Sequence, residues 1–258
     1  MGWSWIVAAA AGIASMRAAM ERGDVDEAAH QGLLAGPAVI EKALASNDRT
    51  VVLAGIAAAP RAEGRGELLG PLAAVAGRGD RRVAIPAAYA AREIARDLVA
   101  RGLPDDLSKD EALPWRAGFV GLARRAGGFI EVRTSAVEIA AALDRVTGAP
   151  SDLGLAASLA DPDPAYRRAV VEHLPQPIPE KQRAPLAKAV AADADAGVAL
   201  AAAHVLCADL AAEPEVAVAR PVLDALGGAG LERLKKLAAA APASVREAAR
   251  CLAAAAKK

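Results

Sequence analysis

Aromatic residues are scarce in this chain: tryptophan, tyrosine and phenylalanine make up 3% of its 258 residues, although 54% are hydrophobic. The apolar content is therefore mostly alanine, leucine and valine. A β sandwich or barrel needs more β-branched and aromatic residues at a period of two, and the sequence has no sustained run of that kind. Because alanine and leucine are the strongest apolar helix formers, the composition predicts an all-α protein.

Residues that commonly carry out catalysis are also few. The three histidines, His30, His173 and His204, are far apart, and none forms an HExxH motif or a Cys/His cluster with metal spacing. The glycine-rich run at 227–230 does not follow a strand pattern, so we expect it to end a helix instead of cradling a phosphate. The sequence therefore predicts no catalytic residue, no cofactor and no metal.

Charge of neither sign dominates, with 31 basic and 31 acidic residues. A nucleic-acid-binding protein normally has a basic stripe that replaces the counterions of the phosphate backbone. Here the basic residues are spread along the chain in isolated pairs, usually with acidic residues nearby. We therefore expect no nucleic-acid partner.

The first segment carries no charge from Gly2 to Met16 and contains Trp3 and Trp5. These fifteen residues are too few for a comfortable membrane span of about 20, but they suit a signal-peptide core of about 7–15. No lysine or arginine precedes them, so a buried helix that caps the fold is the alternative. Residues 1–36, which also hold a short second helix, are thus a signal or membrane anchor, or a cap. Both a cytoplasmic and an exported protein remain possible.

A short pattern recurs six times: an acidic or small polar turn, then three residues, an apolar anchor and an alanine-rich helix. The clearest copy begins at Asp161 and has its anchor at Tyr166. The other anchors are Val51, Val83, Val132, Val198 and Val245. Successive anchors are 32 to 49 residues apart, which is typical of stacked helical hairpins.

In each predicted repeat a helix A precedes the turn and a helix B follows it. The predicted pairs are 37–46 and 49–59; 66–76 and 81–100; a helix A opened by Ser108, then 129–146; 151–159 and 163–174; 180–192 and 195–212; and 230–241 and 244–256, with an additional helix between 214 and 226. Residues 129–134 resemble a strand locally, but the repeat register makes them the start of a helix B. Pro86 predicts a bend or a shifted register, and Pro114 is expected in a first turn.

The register also sorts side chains. Positions 3, 4, 7 and 8 after each anchor share its face of the helix and are expected to be buried, His173 among them. Positions 2, 6 and 9 are expected to be exposed. The exposed set includes Ile85, Tyr89, Arg92, Glu138, Arg168, Glu172, His204 and Glu247.

The repeats resemble HEAT repeats, which carry an acidic turn followed by an apolar residue, arginine and alanine. The best copies are Tyr166-Arg167-Arg168-Ala169, Val132-Arg133-Thr134-Ser135 and Val245-Arg246-Glu247-Ala248. The resemblance covers residues 37–256 and implies an α-solenoid of about six hairpins whose B helices line a concave side. It also implies a ladder between repeats, formed by turn aspartates and B-helix arginines. Asp163 and Arg167 fit that ladder, whereas Ala84 and Ala199 replace the arginine.

HEAT-like proteins mostly act as platforms for other proteins. The resemblance therefore implies a monomeric, non-catalytic scaffold that binds a protein on the B-helix face. Because aromatic residues and arginine are enriched in binding hot spots, exposed B-helix residues are the expected contacts. We expect them to be Tyr89, Arg92, Arg168, Glu172 and His204. The alternatives are a HEAT-like enzyme or metal protein of lyase or hydroxylase type, and a structural protein of the cell envelope or membrane.

The two cysteines fall on neighbouring predicted B helices, Cys207 nine residues after its anchor and Cys251 six residues after the next. They would then project from nearby turns. In an exported protein we expect a disulfide between them, and in the cytosol two free thiols that pack as small apolar groups.

Overall fold

The computed structural model describes residues 2–102, 109–148, 153–212, 216–239 and 251–252, and within these ranges it contains helices and no strand. The all-α prediction is confirmed. Contacts divide the chain into two compact units, Met1–Ser151 and Asp152–Lys258. They are called unit 1 and unit 2 below.

Unit 1 is built from helical hairpins in two layers. Its helices are α1 (Gly2–Glu21), α2 (Val25–Ala35), α3 (Pro37–Ala45), α4 (Arg49–Ala58), α5 (Leu69–Ala76), α6 (Arg81–Arg101), α7 (Lys109–Arg124) and α8 (Ile130–Thr147), with 3-10 turns at Ala59–Arg61 and Arg65–Leu68. The odd-numbered helices pack side by side as an A layer, and the even-numbered helices pack as a B layer.

The chain positions of these helices follow from the turn aspartates. The carboxylates of Asp24, Asp48, Asp80 and Asp163 each accept a hydrogen bond from a backbone N–H two or three residues further on, at the first turn of the following helix. Those N–H groups have no partner within the helix, so a side-chain acceptor there fixes where the helix begins. The recurring acidic turn is therefore a recurring N-cap.

The predicted register is observed at the anchors, but Ile85, Arg92 and Glu138, which were expected to be exposed, are half-buried on α6 and α8, which pack against each other. Five anchors lie within the described residues, and all five are buried: Val51, Val83, Val132, Tyr166 and Val198. Val245 and the predicted exposed residue Glu247 lie outside the described residues. Residues 130–134 are helical, as the repeat register requires.

The two prolines lie inside helices. α6 continues through Pro86, and Ala87 and Ala91 beyond it are buried, so the register is not shifted. Pro114 is the sixth residue of α7, beyond the first turn in which it was expected.

The hairpin formed by α1 and α2 was not among the six predicted repeats. α1 and α2 pack on each other and on α3 and α4, and Met16 and Ala19 of α1 are fully buried. The contact is close because Gly32 of α2 has no side chain: a Cβ there would lie 2.5 Å from the Cβ of Ala58. The predicted division at residue 36 stays a prediction.

Unit 2 contains α9 (Leu155–Leu159), α10 (Pro164–Glu172), α11 (Glu180–Ala192), α12 (Ala196–Ala212) and α13 (Val216–Ala239). α13 is interrupted at Gly227, whose φ of 63° places it in the left-handed region that glycine tolerates. This is the helix stop expected from the glycine run. Of the last predicted B helix, 244–256, the described residues 251–252 are helical, and the rest lies outside the described residues.

His173 corrects one burial prediction. It follows the last residue of α10 and is half-buried, with its ring Nδ1 2.9 Å from the carbonyl oxygen of Ala169. The helix ends there, so the side chain reaches the rim of the core instead of its interior.

Among the described residues, no helix combines the length and the apolar character needed to cross a membrane.

Candidate partner-binding surface

The B layer of unit 1 presents an aromatic ring to solvent at Tyr89 of α6, which is 43% exposed. Arg92 and Arg96 follow at helical spacing on the same helix, and Glu138 lies opposite them on α8, which packs against α6. Residues three and four apart share a helix face. These four residues are called the Tyr89 patch below.

The patch is held together by contacts between its members. The guanidinium carbon of Arg92 lies 4.9 Å from the centre of the Tyr89 ring, which is cation–π distance. Arg92 Nη1 donates to Glu138 Oε1 at 3.3 Å, and Arg96 Nη2 donates to Glu138 Oε2 at 2.8 Å. One carboxylate therefore positions two arginines, and Arg92 in turn orders the ring.

Chemically, the patch suits binding. Two guanidinium groups share one carboxylate, which leaves one positive charge, and Arg96 keeps two-thirds of its side chain exposed. The tyrosine ring adds apolar contact area with a polar edge. The patch has no cysteine, serine or histidine that could act as a nucleophile or base, and the described residues contain no group of three metal-ligating side chains.

The other predicted contact residues belong to unit 2. Arg168 Nε donates to Glu172 Oε1 at 2.7 Å, four residues along α10, and both side chains are exposed. His204 is exposed on α12, which packs against α10. The five predicted contacts thus fall into two sets, Tyr89 with Arg92 in unit 1 and the remaining three in unit 2.

Sequence reasoning missed Arg96, and it placed Glu138 among the exposed positions without including it in the contact set. Arg96 is thirteen residues after its anchor, one turn beyond the positions considered. Because α6 is 21 residues long, extending the exposed stripe by one turn would have found it.

Arginines also link successive hairpins, in the manner of the ladder between repeats that the HEAT resemblance implies. Asp163 caps α10 through the N–H of Ala165, and Arg167 reaches the next turn instead, where it binds Asp193 through Nε and Nη2 at 2.9 and 2.7 Å. In unit 1 Arg49 Nε binds Asp80 of the next turn at 2.9 Å. In both pairs the arginine therefore binds the aspartate of the following turn.

A second set of arginines binds backbone carbonyls at the C-terminal ends of A helices in the preceding hairpin. Arg78 donates to Leu44 at 2.8 Å, Arg125 to Gly77 at 2.6 Å and Arg233 to Val190 at 2.8 Å. The last carbonyls of a helix lack partners within the helix and carry partial negative charge, so a cation there is favourable.

The Arg167–Asp193 pair perturbs both ionisations. Burial opposes the charge on Asp193, but the hydrogen bonds from Arg167 and from the N–H of Asp195, with the charges of Arg167 and Arg233, outweigh it and lower the pKa of Asp193. The hydrogen bond to Asp193 raises the pKa of Arg167. Both groups are therefore charged in the folded protein near neutral pH.

The two cysteines are adjacent in unit 2. Their Cα atoms are 5.9 Å apart and the two sulfurs are paired as in a disulfide; disulfides usually span 4.4–6.8 Å between Cα atoms. The register of the B helices had placed both cysteines on neighbouring turns. Formation of this disulfide in an exported protein stays a prediction.

Comparison with known proteins agrees with this architecture. No protein-family profile and no curated protein matches the chain. Among solved structures, a designed armadillo repeat protein, YIII(Dq)4CqI, is similar at 18% identity with a TM-score of 0.55, over 84% of this chain and 98% of that one. The chain has the fold of an armadillo/HEAT-like helical-repeat solenoid. At that identity the likeness shows the fold alone.

Proposed function

We propose that this chain is a non-catalytic scaffold that binds another protein through the Tyr89 patch on the B layer of unit 1. The observation that carries the proposal is the ordering of an exposed tyrosine by Arg92, which Glu138 itself holds. Tyrosine and arginine are the residues most enriched in the hot spots of protein interfaces.

Pre-ordering explains why such a patch would bind well. A partner that docks on Tyr89 does not have to immobilise a free side chain, so it avoids a cost of about 0.5–1.5 kcal/mol for each ordered residue. The charges around the ring would set specificity and association rate more than affinity. The exposed residues of unit 2, Arg168, Glu172 and His204, would serve as a second contact region.

The chemistry of the Tyr89 patch also favours a scaffold over an enzyme. Tyrosine, two arginines and a glutamate paired to them offer hydrogen bonds and contact area, but no activated nucleophile. Elemental analysis of the purified protein is a direct test: stoichiometric iron or zinc would contradict the proposal and favour a metal-dependent lyase or hydroxylase.

The binding test is affinity capture from the native cell with the wild type and with Tyr89→Ala and Arg96→Ala. Two matched controls remove exposed charged side chains from the A layer, Glu41→Ala on α3 and Lys109→Ala on α7. All variants are compared at equal loading and by melting temperature. We expect the same proteins to be captured by the wild type and both controls, and to be depleted with both patch variants.

The patch variants alter exposed side chains, so they should melt within about 1–2 °C of the wild type. Equal capture by all variants would refute the patch as the contact surface. Loss of capture by Glu41→Ala or Lys109→Ala alone would place the surface on the A layer instead.

A further inference from the structure

The A layer of unit 1 contains a groove between α5 and α7. The two helices run side by side in the same direction: a Cβ added to Gly70 would lie 3.2 Å from Cδ1 of Trp115, and one added to Gly77 would lie 3.5 Å from Cδ2 of Leu122. Beside these contacts lies a cavity of about 490 Å³. Ligand pockets commonly have volumes of about 300–1,000 Å³, so the cavity is large enough for a ligand.

The groove stays open because the residues along its walls are small. Ala74 of α5 and Gly118 and Gly121 of α7 line it and are exposed. A Cβ added to Gly121 would meet no atom within 4 Å, and one added to Gly118 would lie 3.8 Å from the Cβ of Ala73. Space therefore remains along the groove for the side chains of another molecule.

One end of the groove is apolar. Pro114 and Trp115 line it there, and the indole ring of Trp115 is half-buried against Gly70. Tryptophan is among the residues most enriched in the hot spots of protein interfaces, because its large ring provides much apolar contact area. This end therefore suits an apolar side chain.

The other end of the groove is positively charged. A second cavity, of about 260 Å³, shares Leu122 and Arg125 with the first, so the two are continuous. Arg78 and Arg133 also line it, and none of the described lining residues of either cavity is acidic. Arg78 and Arg125 donate to backbone carbonyls, which carry no formal charge. Both arginines therefore keep a positive charge that favours a carboxylate. The channel from Trp115 to Arg125 is called the Trp115 groove below.

We propose that the Trp115 groove binds a short peptide segment of a partner protein, with apolar side chains against Trp115 and a carboxylate at Arg125. The two residues are ten positions apart on α7, which is about 15 Å along the helix axis. An extended peptide covers that distance with about five residues. Because the walls of the groove are exposed, the backbone of the peptide can keep its polar groups in water.

This groove is a second binding site, separate from the Tyr89 patch. It lies between two helices of the A layer, whereas Tyr89 belongs to α6 of the B layer. The inference therefore does not depend on the proposed function of the patch.

The test begins with a phage-displayed library of random heptapeptides, selected on the full wild-type chain. Enriched peptides are synthesised with a fluorescent label, and fluorescence anisotropy gives their affinity for the wild type and for variants. Gly121→Leu and Ala74→Leu fill the groove from its two walls. Ala117→Leu is the matched control, because Ala117 is exposed on α7 but does not line the groove. Arg125→Gln removes the charge and keeps a donor for the carbonyl of Gly77. Circular dichroism checks that each variant keeps the wild-type fold.

We expect the enriched peptides to combine apolar residues with an aspartate or glutamate at one end. Gly121→Leu and Ala74→Leu should weaken their binding at least tenfold, while Ala117→Leu and Tyr89→Ala bind like the wild type. The Tyr89→Ala result separates this inference from the scaffold proposal.

The carboxylate has its own test. Arg125→Gln should weaken binding about tenfold, because it removes a charge-assisted hydrogen bond. Replacing the acidic residue of the peptide by its amide should give a similar loss with the wild type and little further loss with Arg125→Gln, since residues in direct contact have non-additive effects.

Four results would overturn the inference: no enriched peptide, binding that neither groove-filling variant weakens, enriched peptides without an acidic residue that bind Arg125→Gln as well as the wild type, or a peptide-free dimer that Gly121→Leu dissociates. The second would place the peptides elsewhere on the chain, and the fourth would assign the groove to a second copy of the chain.

Discussion

Arg167 binds Asp193 with two parallel hydrogen bonds, from Nε at 2.9 Å and from Nη2 at 2.7 Å, across the gap between two successive hairpins. Its remaining terminal nitrogen donates to the carbonyls of Asp161 and Pro162. The side chains of Arg167 and Asp193 are 10% and 6% exposed, so little water reaches the pair. One guanidinium therefore ties the turn of its own hairpin to the turn of the next.

Loss of this pair should weaken unit 2 considerably. We expect Arg167→Ala to lower the free energy of unfolding by about 2–4 kcal/mol, because it leaves the Asp193 carboxylate nearly buried without its main partner. Urea unfolding of the variant and the wild type measures the difference. Arg168→Ala is the control, since Arg168 is exposed and forms its ion pair with Glu172 of the same helix; its change should stay below about 1 kcal/mol. Equal effects would contradict the argument.

The same pair predicts a pH dependence. The pKa of Asp193 is lowered in the folded state, so its contribution to stability is complete above the unfolded-state value of about 3.9 and is lost as the pH falls through the lower folded-state value. We expect the stability of the wild type to fall more steeply than that of Asp193→Asn between about pH 5 and pH 3. Urea unfolding across that range measures both slopes, and parallel slopes would show that Asp193 is not responsible.

Two glycine-to-alanine substitutions should have opposite signs. At Gly32 the new Cβ would lie 2.5 Å from Ala58 Cβ and 3.1 Å from Met16 Cε, so overpacking should cost about 1–3 kcal/mol and exceed the gain in helix propensity. At Gly121, an exposed position in α7 with no atom within 4 Å, only the propensity gain of about 0.5–1 kcal/mol remains. Thermal unfolding should show Gly32→Ala melting below the wild type and Gly121→Ala above it.

The cysteine pair predicts a redox-dependent stability. If Cys207 and Cys251 are joined, the bond closes a sequence separation of 44 residues and should stabilise the protein by about 3–4 kcal/mol. Intact-mass measurement after thiol alkylation shows whether the thiols are free, and unfolding with and without reductant gives the energy. Cys207→Ser should match the reduced wild type and show no response to reductant. A reductant effect that persists in this variant would exclude the disulfide as its cause.

The regular part of the fold was predictable because local chemistry repeats. An aspartate that caps a helix and an apolar residue three positions later fix where a B helix begins and which face is buried, as at Asp163 and Tyr166. The repeat spacing also predicted correctly that the strand-like residues before Thr134 are helical, although no aspartate caps α8. The hairpin of α1 and α2 was not predicted as a repeat, because Asp24 caps α2 but the residue three positions later is the charged Glu27 and not an apolar anchor.

Contacts between hairpins could not be read from the sequence. Asp163 and Asp193 are both turn aspartates, and which of them Arg167 binds depends on the stacking of the hairpins. For the same reason, only part of the Tyr89 patch was predicted. Helical spacing placed Tyr89 and Arg92 on one exposed face, but the packing of α8 on α6 decides that Glu138 joins Arg92 to Arg96.

In the arginine ladder, the arginine comes from one hairpin and the aspartate from the hairpin that follows it along the chain. Arg49 supplies the cation and the next turn supplies the carboxylate of Asp80, and Arg167 and Asp193 repeat the arrangement in unit 2. Recombination that duplicates or removes a whole hairpin leaves each arginine facing an aspartate of the following turn. Recombination between the arginine and the aspartate of one pair separates them, so each charge loses this partner. Whole hairpins are therefore the natural units by which such a chain can lengthen or shorten during evolution.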